Sequence, residues 1–416
     1  MRTSSRMILA AVAAATLALT ACGGGGGGGA GGQATGETVK LGVLTTLSGQ
    51  TAAGFVGVQR GAEARIQAYK AAGGRCANKN FQIVMGDDTS TPQGALTAAQ
   101  RLVQQENVYA VLPVSPFLPG AAQYLATQAK GAPVVGSAID GAPQWLDPSV
   151  LNFFSATGAS DFANIPSTYG QYWKELGGTK VAVVGNDTPS SAKAAEGARQ
   201  SALAAGLQDG YSNVKLPIGS TDVGAIVLGI KDSGADVLYM PVTPQTAFAI
   251  VGGLRQAGVH LKSVLLATGY GADLLASPPA LQAAAGVGFI TVTAPTELNT
   301  EATRAQSAAL KQYAGSPTGV PSFSENSGWL VADLFLYGLE AAGCDATQAD
   351  YITALNRSTT WDAGGLFPHP RTFTEKGVIA AAHGPGNCIY ISTVEGDHFV
   401  PDPKASPICG TVIGKV

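Results

Sequence analysis

Four hydroxyl-proline pairs are the most chemically suggestive residues of this 416-residue chain. Thr91-Pro92, Thr188-Pro189 and Thr243-Pro244 each stand just before a predicted helix, and Ser115-Pro116 is placed similarly. A hydroxyl N-cap accepts a free N–H, and proline at the next position pre-sets φ, so the pair favours a helix start. Plain capping accounts for all four and is the reading for Thr91. The alternative is that Ser115, Thr188 and Thr243, which follow strands, offer N–H donors and a positive dipole end to an anionic ligand in a cleft.

Residues for covalent or metal chemistry show no recognisable spacing. The chain holds no GxSxG elbow, GxxxxGK loop, HExxH pair or GxGxxG after a strand. Gly269-Tyr270-Gly271 and Gly286-Val287-Gly288 lack the third glycine and read as turns. Of the histidines His260, His369, His383 and His398, the last three fall in an irregular tail and read as surface residues. Beyond Cys22, four cysteines remain: Cys76, Cys344, Cys388 and Cys409. An even number in an exported chain implies two disulfides, with three pairings open, and no CxxC spacing supports zinc. The expectation is a binding protein without cofactor or metal, not an enzyme.

Composition agrees. Charged residues are 13%, aromatics 7% and glycines 55, an apolar and tightly turned α/β composition. The formal net charge of -3 argues against a nucleic-acid partner. The length implies two domains. At the N-terminus, Arg2 and Arg6 precede a short apolar run, 7–19, and Leu19-Thr20-Ala21-Cys22 resembles the bacterial lipobox. Residues 1–21 are then a lipoprotein signal peptide, Cys22 the lipidated first residue, and the Gly-rich 22–36 a tether. That expectation places the body outside the cytoplasm, anchored to the cell membrane.

These candidates must be positioned by the elements between them. Val39, Leu41, Val43 and Leu44 read as a strand buried on both faces. The polar loop 45–54 follows, and Val58, Ala62, Ile66 and Tyr69 fall on one helix face that ends at Gly73-Gly74. Similar β–loop–α units recur, with strands at 81–85, 109–112 and 133–135 and a helix at 118–128. A fresh series starts after Phe154: helix 161–176, strand 180–184, helix 190–205, strand 213–216, helix 223–233 and strand 236–240. Ala247, Ile250, Val251 and Leu254 mark the next helix, and strands 263–267 and 287–292 follow. Helices 301–313 and 325–343 precede a Gly/Pro-rich tail from Trp361, with a hairpin at 388–394 and 398–400. In such sheets ligands sit beyond the strands' carboxyl ends, so 48–54, with Ser48, is the first candidate binding loop.

LGVLTTLSG, GAEARIQAYKAAGG and GDDTSTPQGALTAAQRLVQQENVYAVLPV, continued by Gly234-Ala235-Asp236-Val237 and Gly328-Trp329, resemble type I periplasmic solute-binding proteins of ABC transporters. The leucine/isoleucine/valine-binding group is the most similar, over about 37–416. The resemblance implies two doubly wound, Rossmann-like α/β lobes joined by a three-segment hinge. Lobe 1 would hold 37–155 and 295–385, and lobe 2 would hold 156–294 and 386–416. It implies a monomer that captures a small solute for a permease and its ATPase subunits, in amino acid transport. A ligand-sensing receptor lobe of the same fold is the alternative, and an extracytoplasmic enzyme the third reading.

The same resemblance implies ligand positions. The family's aromatic in the first loop falls at Gly54, and its hydroxyl and backbone contacts fall at Ser115, Phe117, Ala138 and Asp140. Its lobe 2 contacts fall near Ser190 and Thr243, and its acidic partner for an ammonium falls at Tyr270. Gly54 and Tyr270 depart from the pattern, which favours a carboxylate-bearing solute over a branched-chain amino acid. Asp140 could supply the missing charge or be a turn residue before Gly141. For the cysteines, the expected pairs are Cys76 with Cys344 and Cys388 with Cys409.

Overall fold

The computed structural model describes residues 38–157, 164–374 and 388–416. The expected signal peptide, Cys22 and tether, and the expected boundary between lobe segments at 385, lie outside them. Strand β1 (Thr38–Thr45) buries Val39, Leu41, Val43 and Leu44 and runs between β2 (Asn80–Asp87) and β3 (Ala110–Val114). With β4 (Val134–Gly136) and β5 (Phe153–Ser155) these make a parallel sheet in the order β2-β1-β3-β4-β5. Helices α1 (Val58–Ala71), α2 (Pro92–Gln100) and α3 (Pro119–Thr127) cross between the strands.

After β5 the chain builds a second sheet. Here β6 (Asn164–Pro166) and α4 (Thr168–Glu175) lead to β7 (Lys180–Asn186), α5 (Pro189–Ala204) and β8 (Gln208–Leu216). Then come α6 (Gly224–Ser233), β9 (Val237–Met240), α7 (Pro244–Gln256), β10 (Ser263–Leu266), α8 (Ala272–Leu275), α9 (Pro278–Ala284) and β11 (Gly288–Thr291). Helices α10 (Glu301–Tyr313), α11 (Phe323–Ala342) and α12 (Gln348–Asn356) return to the first core. The tail adds β12 (Cys388–Glu395), β13 (His398–Pro401), β14 (Ile408–Cys409) and β15 (Val412–Lys415). Strands β7 to β11 pair in parallel, and β12 and β13 extend the sheet antiparallel as β13-β12-β11-β10-β9-β7-β8.

Each sheet carries apolar layers on both faces. One core joins β1 and β3 to α1, α10, α11 and α12, and another packs α2 and α3 on the opposite face. The second sheet is covered by α6, α7 and α8 on one face and by α4 and α5 on the other. This is an α/β two-lobe fold of parallel sheets. Two of the glycines in the GAEAR and Gly-Trp segments set the closest helix contact. A Cβ on Gly61 would lie 1.9 Å from the Glu325 carbonyl oxygen, and one on Gly328 would lie 2.0 Å from that of Val58. Only glycine lets α1 and α11 approach so closely.

Cys76 is joined to Cys344 across 268 residues, and Cys388 to Cys409, which face each other on the antiparallel β12–β14 pair. Several sequence expectations are corrected. The helix expected over 161–176 is helical only from Thr168, because Asn164–Pro166 is a strand paired with β15. Pro166 lacks the N–H that a helix interior needs, and residues 161–163 lie outside the description. Strand β8 begins five residues before the expected 213. The helix after Ser115-Pro116 starts at Pro119. Helix α12 was not foreseen, although Thr347 and Asp350 form the reciprocal capping box that signals such a start.

Candidate functional site

Register assembles the first half of the site. Thr45 is paired with Asp87 on one side and with Val114 on the other, so the next residues of three strands emerge together. Those residues are Thr46, Asp88 and Ser115, all fully buried. Asp88 Oδ2 accepts from Thr46 Oγ1 at 2.8 Å and from Ser115 Oγ at 2.5 Å, and Oδ1 accepts from Ser90 N–H at 2.8 Å. One carboxylate therefore ties three strand ends, and its need for donors explains the buried hydroxyls around it.

Asp87 does the same for the first loop. It accepts from Leu47 N–H, Ser48 N–H, Ser48 Oγ and Thr89 N–H. Its partial burial would raise its pKa, but those bonds outweigh burial and hold it below the ordinary value. The turn that permits this has Thr89 at φ 52° and Ser90 at φ 57°. Left-handed backbone is costly for a β-branched residue and persists only where the surroundings over-determine it. Ser90 Oγ then donates to the Ser48 carbonyl and accepts from Thr51 N–H, so the loop lies fixed on this turn.

The expected lobe 1 positions fall along this edge. Ser48 is exposed and held by Asp87; Gly54 closes an exposed 3-10 turn where an added Cβ would meet nothing within 4 Å. Ser115 Oγ also accepts from Phe117 N–H at 3.0 Å, and the Phe117 ring is half-buried. Ala138 N–H donates to Thr157 Oγ1. Asp140 accepts from Ala142 N–H at 2.8 Å and from Trp145 Nε1 at 2.9 Å, and burial pushes its carboxyl up to about 6. Its bonds are those of a turn residue.

The second half lies at the ends of β7, β9 and β10. Thr188 caps α5, its Oγ1 accepting from Ser191 N–H, and Ser190 is half-buried in the first turn. Helix α7 differs: no side chain caps it, although Thr243 precedes it in an extended conformation. The Thr243 hydroxyl lies 3.0 Å from that of Thr246, which donates to the Ser220 carbonyl. Pro244 has no N–H and Ala247 N–H donates to the Thr243 carbonyl, so the N–H groups of Gln245 and Thr246 start α7 beyond β9 without a side-chain cap.

Tyr270 is engaged differently from the expectation. Its hydroxyl donates to Glu297 Oε2 at 2.7 Å and accepts from Thr296 N–H at 2.9 Å, while its ring packs 4.5 Å from Phe399. Burial, then the neighbouring Glu297, raises the hydroxyl well above its ordinary pKa, and burial also raises Glu297. A carboxylate therefore does stand beside Tyr270, supplied by the 3-10 turn Thr296–Leu298 and not by the loop. Next to it, Gly271 at φ 154° lies against Pro321 and Ser322, where a Cβ would come within 2.8 Å of the Ser322 Cα. Asp88 and Glu297, which hold the candidate positions Ser115 and Tyr270, were not among the expected residues. The Asp-Asp pair ending β2 was the available signal for the first.

A cavity of about 300 Å³ also opens between α1, β2 and α10, lined by Glu63, Ile66, Gln67, Phe81, Ile83 and Tyr313. It lies toward the amino end of β2, away from the carboxyl ends of the strands where sheets of this kind hold their ligands.

Among the described residues no helix is long and apolar enough to cross a membrane. Comparison with known proteins agrees with the fold. A Leu/Ile/Val-binding protein homolog 1 from Brucella melitensis biotype 1 is 26% identical over 245 residues, 54% of this chain and 60% of that relative's length. A solute-binding protein of an ABC transporter from R. palustris, in complex with 4-hydroxybenzoate, superimposes with a TM-score of 0.68 at 20% identity, covering 88% of this chain and 95% of the other. A branched-chain amino acid ABC transporter protein from Thermus thermophilus with bound valine gives 0.69 at 18% identity, with coverage of 88% and 95%. The model of the periplasmic binding protein family matches residues 38–398, and the chain belongs to that family.

Proposed function

We propose that the chain is the extracytoplasmic binding lipoprotein of an ABC importer and captures a small carboxylate-bearing solute, an amino acid or organic acid, between its lobes. The lobes are taken as 37–155 with 295–385 and 156–294 with 386–416. The observation that carries the ligand class is the uncapped start of α7 beyond β9. Its free N–H groups and positive dipole end suit a carboxylate. The start of α5 already has an internal acceptor in Thr188, and Ser115 sits against the Asp88 carboxylate, where a second anion would be repelled. The anionic end of the solute therefore belongs at Thr243, with Ser115, Phe117, Ala138 and Gly54 walling the opposite end. Both 4-hydroxybenzoate and valine, bound by the similar proteins, carry a carboxylate.

A thermal-shift panel pairing each acid with its uncharged amide tests this reading. Stabilisation by acids and not by the matched amides is expected; equal response to both rejects the carboxylate site. Attachment through Cys22 is tested separately, since Cys22→Ala should abolish acylation and release the protein from the membrane. Retention of that variant at the membrane rejects the anchor.

A further inference from the structure

The fold assembles three metal-ligating residues that their sequence spacing does not bring together. Ligand-capable atoms of His369, Cys388 and Cys409 all lie within 4.8 Å of one another. His369 and Cys409 are exposed and Cys388 is half-buried, whereas Cys76 of the other disulfide is fully buried. An exposed disulfide is the one that a soluble dithiol reaches and reduces most readily.

We propose that reduction of Cys388–Cys409 converts this corner into a three-ligand site for a thiophilic divalent ion of the zinc type. Two thiolates and one imidazole form a donor set that zinc accepts, with the fourth tetrahedral position left to water. The steps balance. A dithiol gives two electrons and two protons to the protein disulfide and becomes a disulfide itself; the ion then displaces both thiol protons as it binds. Bonds of about 2.3 Å to sulfur and about 2.0 Å to nitrogen separate tetrahedral donors by roughly 3.5–3.8 Å. The two sulfurs must move apart to reach this spacing, which the short strand β14 at the sheet margin permits. Oxidation and metal binding therefore exclude each other.

The position gives the ion a mechanical consequence. His369 follows Leu366 and Phe367, which pack with Trp361 in the α1–α11 core. Cys388 begins β12, which is paired with β11 of the second sheet. A bound ion would clip a segment of one lobe to the sheet of the other.

Cobalt(II) is the probe, because thiolate ligation gives a near-ultraviolet charge-transfer band and tetrahedral geometry gives visible bands. The full chain is reduced with a dithiol, freed of reductant without air and titrated, with alkylation and peptide mapping to show which cysteines were opened. One equivalent should bind to the reduced protein and none to the oxidised one, and zinc should displace it. His369→Ala should weaken binding by about tenfold or more, since even outer partners of a metal ligand carry that much. No thiolate band in reduced protein, or a band unchanged in His369→Ala, overturns the proposal. So does a band that survives Cys388→Ser with Cys409→Ser. Loss of the far-ultraviolet dichroism on reduction also overturns it, since no folded reduced state would then exist to hold an ion.

Discussion

The Tyr270 hydroxyl donates to Glu297 at 2.7 Å, tying the loop after β10 to the turn that leaves β11. The same oxygen accepts the Thr296 N–H. Removing it leaves two half-buried partners without this contact. Tyr270→Phe should therefore cost about 1–3 kcal/mol of stability, since two hydrogen bonds are lost and one of them is to a carboxyl group. Urea denaturation at constant m-value measures it. Unchanged stability would mean that water or a shifted turn satisfies Glu297 and Thr296 without the hydroxyl.

Asp140 gives a pH-dependent prediction. Its carboxyl is raised by burial from the ordinary 3.8 to about 6, against the opposing bonds from Ala142 and Trp145. The folded state then binds more protons than the unfolded state between these values, so stability falls as pH rises through that window and is level above it. At 1.36 kcal/mol per pH unit the loss is at most about 3 kcal/mol. Asp140→Asn should flatten the profile between about pH 4 and 6. Parallel profiles for the variant and the parent would show that Asp140 does not titrate in this way.

The α1–α11 contact is tested by Gly61→Ala. Its new methyl would fall 1.9 Å from the Glu325 carbonyl, so the helices must separate. Overpacking of this kind costs about 1–3 kcal/mol or more. The change also presses on Glu325, whose side chain caps α11 and pairs with Arg60 at 3.2 Å. A lowered melting temperature is expected, and a neutral result would mean that the crossing is looser than described.

Most strands and most helices were legible because their apolar periods are strong and several helix starts carry Thr-Pro or Ser capping. Leu41 and Val43 announce a strand buried on both faces, and Ala247 to Leu254 announce α7. Pairings between distant segments were not legible. Nothing local in Asn164–Pro166 says that the tail strand β15 will bind it, and a helix was expected there. The same limit hid Glu297: its role depends on β10 and β11 lying side by side, which brings residues 27 apart within hydrogen-bond reach. Tyr270 follows β10, but its partners come from a turn whose own sequence carries no such signal. Asp88 was visible as a strand end. Its function as a hub needed the registers of β1, β2 and β3 together.

The proposed capture mechanism makes the last prediction. The polar groups at the two sheet ends bond within their own sides: Ser115 to Asp88, Asp140 to Trp145, and Thr243 to Thr246. A solute held at Thr243 and walled by Ser115 and Phe117 would make contacts available only with the lobes closed. It would then shift the population by its differential affinity for the closed form. Moving the ratio from 1:99 to 99:1 requires about 5.5 kcal/mol. Small-angle scattering should accordingly show a smaller radius of gyration at saturating ligand. Thr243→Pro removes the N–H that precedes α7 and constrains its entry. The substitution should weaken affinity and reduce the compaction reached at saturation, while Ser48→Ala at the fixed first loop should leave compaction intact. A ligand that binds demonstrably and leaves the radius unchanged would mean that capture does not proceed by closure.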